Sequence, residues 1–280
     1  MRFEMSEELR LFAESVRTGI GDWEPPREPE LGTWLDDRDD ALAERLTAAG
    51  WDELWREPEL LGAAVAGGLE LGRASAPVCL VDEATLGGAL AVSGRARHAS
   101  AATVLAVPLP GGGLGFGEAA SEPVPETTLD GSGTVRLDAR VVEELEPADA
   151  AARWRAWSAA TLATFAGLAA HALDAAVAHA RAREQFGAPL SALPAVQARL
   201  ADAALTVDGL TLLAWASAHG ATAVRAPELL WAGTACCEVM ASAHQVHGAL
   251  GFALETGLHR FYRRAKATQA WAAAVCAATR

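Results

Sequence analysis

The sequence predicts a mainly α-helical chain with a small β region set between two helical parts. Three observations carry this. Apolar residues recur at three- and four-residue spacing up to about residue 97, and again from Pro147 onward. Over 98–146 that period gives way to short alternating runs and a turn signal. Hydrophobic residues make up 51% of the 280 and charged residues 21%, the balance of a chain that can bury a core. The expected division is an N-terminal helical domain over 1–97, a reduced β-domain over 98–146 and a C-terminal four-helix bundle over 147–280.

In the first part, Ser6 is placed to cap a helix carrying Leu9, Phe12, Val16 and Ile20. Gly19, Gly21, Pro25, Pro26 and Pro29 end it in a loop. A second helix runs from Asp39 to Ala49 and stops at Gly50. Leu60 to Leu71 and Asp82 to Val92 read as two more, separated by Ser75-Ala-Pro77. In the middle part, Thr103–Pro108 and Thr134–Asp138 read as strands and Asp130-Gly-Ser-Gly133 as a turn, giving three to five short strands. In the third part, Pro147 suits a first helical position and Asp149 complements the helix dipole. That helix runs toward Gln185, where Gly187 and Pro189 stop it. Ser191 caps the next, with Pro194 in its first turn. Leu193, Val196, Leu200, Ala203, Val207 and Leu210 form its apolar stripe. The last two helices span about Pro227 to Val246 and Leu254 to Ala277. Short loops between four helices imply a bundle.

A net charge of −13 disfavours a nucleic-acid partner, because phosphate binding needs a basic face. Cys79, Cys236, Cys237 and Cys276 form no CxxC pair and read as buried apolar residues in a reducing compartment. The N-terminal run MRFEMSEELRLF is acidic and amphipathic, unlike a secretory signal. The uncharged run from Ala156 to Leu173 reads as a buried helix rather than a membrane span. A cytoplasmic location is expected.

Several motifs have plain readings. The run Gly111-Gly-Gly-Leu-Gly-Phe-Gly117 has no helix start after it, so it reads as a turn between strands, not a phosphate loop. His244 and His247 share a helix face but lack a third ligand at a metal-site spacing, so no metal is expected. There is no G-x-S-x-G elbow of a serine hydrolase.

Two segments carry more. In Ala180-Arg-Ala-Arg-Glu-Gln-Phe-Gly-Ala-Pro-Leu190 an arginine and a glutamine end a long helix. In Gln245-Val-His-Gly-Ala-Leu-Gly-Phe252 a glutamine leads into glycines between two helices. Arginine can clamp a diphosphate through two donors, and glycine lets a bulky ligand approach the backbone. On chemistry alone, a helix stop and a turn explain both. Their order and spacing, however, resemble the C-terminal bundle of acyl-CoA dehydrogenases, with its R-x-x-F-G-x-x-[LI] and later Q-[IL]-x-G-G-x-G-[FY]. Ala195-Val-Gln-Ala-Arg-Leu-Ala-Asp202 is similar to the family's AVQ-x-x-LAD helix. Arg260-Phe-Tyr-Arg-Arg-Ala-Lys266 is similar to its LYRDAK segment, and Gly72-Arg-Ala-Ser-Ala-Pro-Val78 to its LGRALAPVP turn. The C-terminal match covers about residues 150–272.

The resemblance implies FAD and oxidation of an acyl thioester, on acyl-CoA or an acyl carrier protein, with a carboxylate removing the α proton while hydride passes to the flavin. It also implies that the flavin lies between two subunits, reached from the neighbour by Arg183, Gln185, Phe186, Gln245, Gly248 and, where the family has a second glycine, Ala249. The base is where this chain departs. Aligned through Tyr262–Lys266, Trp271 takes the aromatic position and Ala272 the usual glutamate position. Aligned through Gly167-Leu168, Trp157 takes the alternative one. The family's TEP-x-AGSD motif, its W-I-T/S strand and its terminal GTSQIQ segment have no counterpart. The expectation is a subunit that completes the FAD site of a base-bearing homologue in a hetero-oligomer. Alternatives are a self-sufficient dimer or tetramer with its base at Glu238, Glu255 or His247, and a non-redox reuse of the fold as a dehydratase, cyclase or structural subunit. Trp157 and Trp271 are expected either to plug the acyl pocket or to pack as ordinary core.

Overall fold

The structure is a computed structural model that describes residues 5–24, 38–130, 132–185, 187–220 and 222–280. The proline-rich loop at Pro25, Pro26 and Pro29 lies outside the described residues.

Four helices form the N-terminal part: α1 (Glu7–Ile20), α2 (Asp40–Ala48), α3 (Leu61–Ala74) and α4 (Cys79–Leu86). Ser6 caps α1 as expected, its Oγ accepting from the Leu9 N–H, and Asp39 caps α2 in the same way through Leu42. Arg17 on α1 donates two hydrogen bonds to the nearly buried Glu70 on α3, both at 2.8 Å. The helix read from Asp82 to Val92 is corrected. Gly87 takes a left-handed φ of 79°, ends α4 at Leu86, and Ala89–Val92 leaves as strand β1. Gly88 packs so closely on the Val104 carbonyl that a Cβ there would sit 2.8 Å from it. The two glycines were the turn signal, and the apolar run after them belongs to a buried strand.

The sheet therefore begins before residue 98. Its strands are β1, β2 (Arg95–Arg97), β3 (Leu105–Leu109), β4 (Gly113–Ala119), β5 (Val124–Pro125), β6 (Thr134–Arg136) and β7 (Ala139–Glu144), in the order β5-β6-β2-β1-β3-β4-β7. Seven strands replace the three to five expected, two of them supplied by what read as the helical part. β1 and β3 pair in parallel, and the other pairings are antiparallel. Of the glycine-rich run, Gly111 and Gly112 lie in the expected turn, while Gly113–Gly117 continue as strand β4, so the turn reading is corrected for that part. The turn also meets the end of the chain's last helix: Gly111 and Gly112 N–H groups donate to the backbone oxygens of Arg280 and Thr279 at 3.2 and 2.9 Å.

The third part is the bundle: α5 (Pro147–Ala182), α6 (Pro194–Ala218), α7 (Ala226–His247) and α8 (Leu258–Ala278). Three boundaries differ from expectation. α5 stops at Ala182, and Glu184–Gln185 (β8) folds back on Ala188–Pro189 (β9). Ser191 does not cap α6: it lies in a 3-10 turn, and Leu193 with Pro194 at the first helical position starts the helix. Gly257, at φ 66°, separates a 3-10 turn at Leu254–Thr256 from α8. Two helices among the described residues, α5 and α6, are long and apolar enough to cross a membrane. The most apolar stretch of α5 is 72% buried inside the fold and that of α6 only 28%, so α5 is a core helix and α6 has an uncovered face.

α3 and α5 cross at glycine contact. A Cβ on Gly167 would lie 2.2 Å from the Leu69 carbonyl, and one on Gly72 would lie 2.3 Å from that of Thr164. The four cysteines are buried.

One buried polar group ties the three parts together. Asp82 of α4 and Arg97 at the end of β2 are 0% and 2% exposed, and Arg97 Nε lies 3.3 Å from Asp82 Oδ2. The Trp157 indole N–H of α5 donates to Asp82 Oδ1 at 2.9 Å. The Arg97 guanidinium sits 4.7 Å over the Trp271 ring of α8. Burial pushes the Asp82 carboxyl up, while Arg97, the Trp157 N–H and His98 pull it down.

Two stability predictions follow from these contacts. Gly167→Ala costs about 1–3 kcal/mol in urea unfolding, because the α3–α5 crossing cannot open locally. Asp82→Leu alone costs about 3–5 kcal/mol by stranding Arg97, whereas Asp82→Leu with Arg97→Met costs less than the single change. A double variant whose cost equals the sum of the singles refutes the coupling.

Candidate functional site

The two segments singled out by sequence meet on one surface. At the end of α5, the Arg183 N–H donates to the His179 carbonyl, and the Leu190 N–H returns to the Arg183 carbonyl at 2.8 Å. The β8–β9 hairpin between them turns on Gly187 at φ 79°, which fixes Gln185 beside Arg183. Phe186, the other expected contact, lies outside the described residues. At the end of α7, Gly248 adopts φ 61° and ψ −138°, a backbone region that only glycine takes without strain. Ala249 follows in a 3-10 turn.

Arg183, Gln185, Gln245, Gly248 and Ala249 all line one groove of about 540 Å³ between the ends of α5 and α7 and the start of α6. All five are exposed. His179, His247 and Arg199 line it too, and sequence reasoning missed the roles of His179 and Arg199. Their signal was weak but present: His179 and Arg183 are four apart on one helix face, and Arg199 lies in the AVQ-x-x-LAD run. The groove's lining includes two arginines and no carboxylate. A Cβ on Gly187 or Gly248 would meet nothing within 4 Å, so the backbone there is open to a ligand. This donor set suits an anionic, diphosphate-bearing ligand such as a dinucleotide.

The base positions lie elsewhere, inside the molecule. Trp157 is 1% exposed, Ala272 1% and Trp271 9%. Trp157 and Trp271 hold the two sides of the Asp82–Arg97 pair. Neither Asp82 nor Arg97 was singled out by sequence, because their pairing depends on a helix–sheet contact with no local pattern. Of the alternative bases, Glu238 and Glu255 are exposed, on α7 and in the turn before α8. His247 lies in the groove, with Nδ1 2.8 Å from the Ala243 carbonyl. His244 makes the same back-bond to Met240, so the two rings do not converge on a metal. No cluster able to hold a metal occurs among the described residues.

Residues 156–272 match the family model for the C-terminal domain of acyl-CoA dehydrogenases. The mitochondrial short-chain specific acyl-CoA dehydrogenase of Bos taurus is 38% identical over 109 residues, which covers 37% of this chain and 26% of that protein. The match thus spans about a quarter of that relative's length. Among solved structures, a Tcur3481–Tcur3483 steroid ACAD variant superposes with a TM-score of 0.76 at 21% identity, over 97% of this chain and 95% of that one. The ChsE4–ChsE5 complex from Mycobacterium tuberculosis gives 0.70 at 19% identity, over 99% and 96%. The family match lies in the bundle that builds the groove, and the shared fold extends over the N-terminal helices and the sheet. Residues 156–272 thus resemble the C-terminal domain of acyl-CoA dehydrogenases, within a chain that shares the fold of these solved structures.

Proposed function

We propose that this chain is an acyl-CoA dehydrogenase-like subunit that supplies the neighbour-facing wall of an FAD site to a homologous, base-bearing subunit, for α,β-dehydrogenation of an acyl thioester. The observation that carries the reading is a separation in space. The described members of the retained set, Arg183, Gln185, Gln245, Gly248 and Ala249, are exposed along one groove. Both base positions, Trp157 and Ala272, are buried, and Trp157 and the Trp271 beside Ala272 hold the Asp82–Arg97 ion pair. A site that served its own chain would keep a carboxylate and space beside it; here an indole holds a buried aspartate instead.

In that role Arg183 places a bidentate cation against the diphosphate, Gln245 donates through its amide, and Gly248 brings backbone close to the ligand. Bound FAD supplies hydride acceptance; these residues bind and orient it. A neighbouring subunit also explains the uncovered face of α6. Leu205 is 71% exposed and Leu212 45%, and Trp231 of α7, 48% exposed, stands beside them. The Tcur3481–Tcur3483 steroid ACAD and the ChsE4–ChsE5 complex each carry two component names, which supports a partner subunit here.

Flavin absorbance tests this reading. The purified chain is expected to carry little FAD alone and to yield a yellow, active complex when mixed with a base-bearing homologue. Arg183→Ala in that complex lowers FAD affinity at least about tenfold, the worth of one charge-assisted hydrogen bond. Full flavin content and dehydrogenase turnover from the chain by itself would sink the proposal. A colourless complex that still transforms a thioester would favour the non-redox alternative.

A further inference from the structure

The groove holds a feature that the arginine–glutamine–glycine pattern does not include. His179 of α5 and His247 of α7 stack face to face, with ring centroids 4.4 Å apart and an interplanar angle of 24°. Both line the groove, one turn below Arg183 and two residues beyond Gln245 respectively. A carbonyl can only accept, so the His247 Nδ1 beside the Ala243 oxygen must carry its proton. That fixes the neutral tautomer and leaves Nε2 as a lone-pair acceptor, the wrong polarity for a phosphate oxygen. Two imidazolium ions stacked this closely, with Arg183 beside them, repel one another.

We propose that His179 and His247 are a second contact for the dinucleotide's diphosphate, and that the pair takes up a proton from solvent when the diphosphate docks beside Arg183 and Arg199. This rests on reading the groove as a dinucleotide site. The charged groups lining it are Arg183 from α5 and Arg199 from α6, and from α7 the pair meets His247 and the neutral Gln245. All the fixed charge is therefore positive, which opposes a further positive charge on His179 until an anion arrives. Desolvation first, then His247 and Arg183, hold His179 below its ordinary value. A diphosphate reverses the local field and makes the added proton favourable. His179 is then a latent cation, and ligand binding is coupled to pH.

The test uses the purified chain and ADP-ribose, whose diphosphate does not itself titrate near neutrality. The seven histidines are followed by NMR with and without ligand, assigned by His179→Gln and His247→Gln. The expected result is an upward move of the His179 midpoint by about one unit on binding. ADP-ribose affinity should then be about tenfold higher near pH 6 than near pH 8, a preference lost in His179→Gln and in the stack-preserving His179→Phe. If ligand shifts the Arg183 and Gln245 signals but leaves the His179 midpoint and the pH dependence flat, the inference is overturned and the groove reading stands. If no groove signal moves, in the chain alone or in complex with a base-bearing homologue, the groove reading falls and takes this inference with it.

Discussion

The rest of the structure depends on the buried Asp82–Arg97 pair. It joins α4 to β2, and Trp157 and Trp271 fasten it to α5 and α8, so the N-terminal helices, the sheet and the bundle share one polar joint. Two charges removed from water are tolerable only if each is well partnered. That demand constrains four elements at once. It also occupies the region where the family's alternative base positions fall. A carboxylate in place of Trp157 would remove the indole N–H that Asp82 accepts from and add a second acid to a buried site. The joint and a catalytic base at that position are therefore mutually exclusive.

α5 carries this constraint outward. It has 36 residues, and Trp157 in the joint lies 26 residues before Arg183, just past its end, or about 39 Å of helix. The glycine crossing with α3 fixes its middle, where Gly72 and Gly167 allow backbones to touch. A helix held at that depth presents its C-terminal turn in a set position. The hairpin after it and the Gly248 turn after α7 complete the groove without a flexible loop between Arg183 and Gln185. Closed interior and open groove are thus opposite ends of one rod.

Much of this was legible. Local patterns gave α1 with its Ser6 cap, α2, the bundle and the two segments that meet in the groove, because caps, prolines and helical periods act over a few residues. The errors fell where tertiary contact decides. Leu86–Val92 is apolar enough for either a helix or a strand, and the parallel partner β3 makes it a strand. Ser191 is a good capping residue, but Pro194 starts the helix three positions later. Asp82 and Arg97 are 15 residues apart across an element change, so no period links them. His179 and His247 lie on helices joined only through the fold. Resemblance supplied the groove residues; physical contact supplied their neighbours.

The groove's chemistry must also be weighed against the whole chain, which carries a net charge of −13. An anionic ligand approaching such a surface is repelled at long range. At physiological salt, charges beyond about 8 Å are largely screened, so the groups lining the groove decide the outcome. Two arginines, two glutamine amides, an open glycine backbone and a pair of imidazoles give that lining a local sign opposite to the protein's own. A surface that breaks the overall charge in this way, with leucines and a tryptophan uncovered on α6 and α7, is consistent with the proposed anion site between this chain and another. In the proposed assembly the second wall comes from the partner, because the joint that holds this chain together fills its own interior at Trp157 and Trp271.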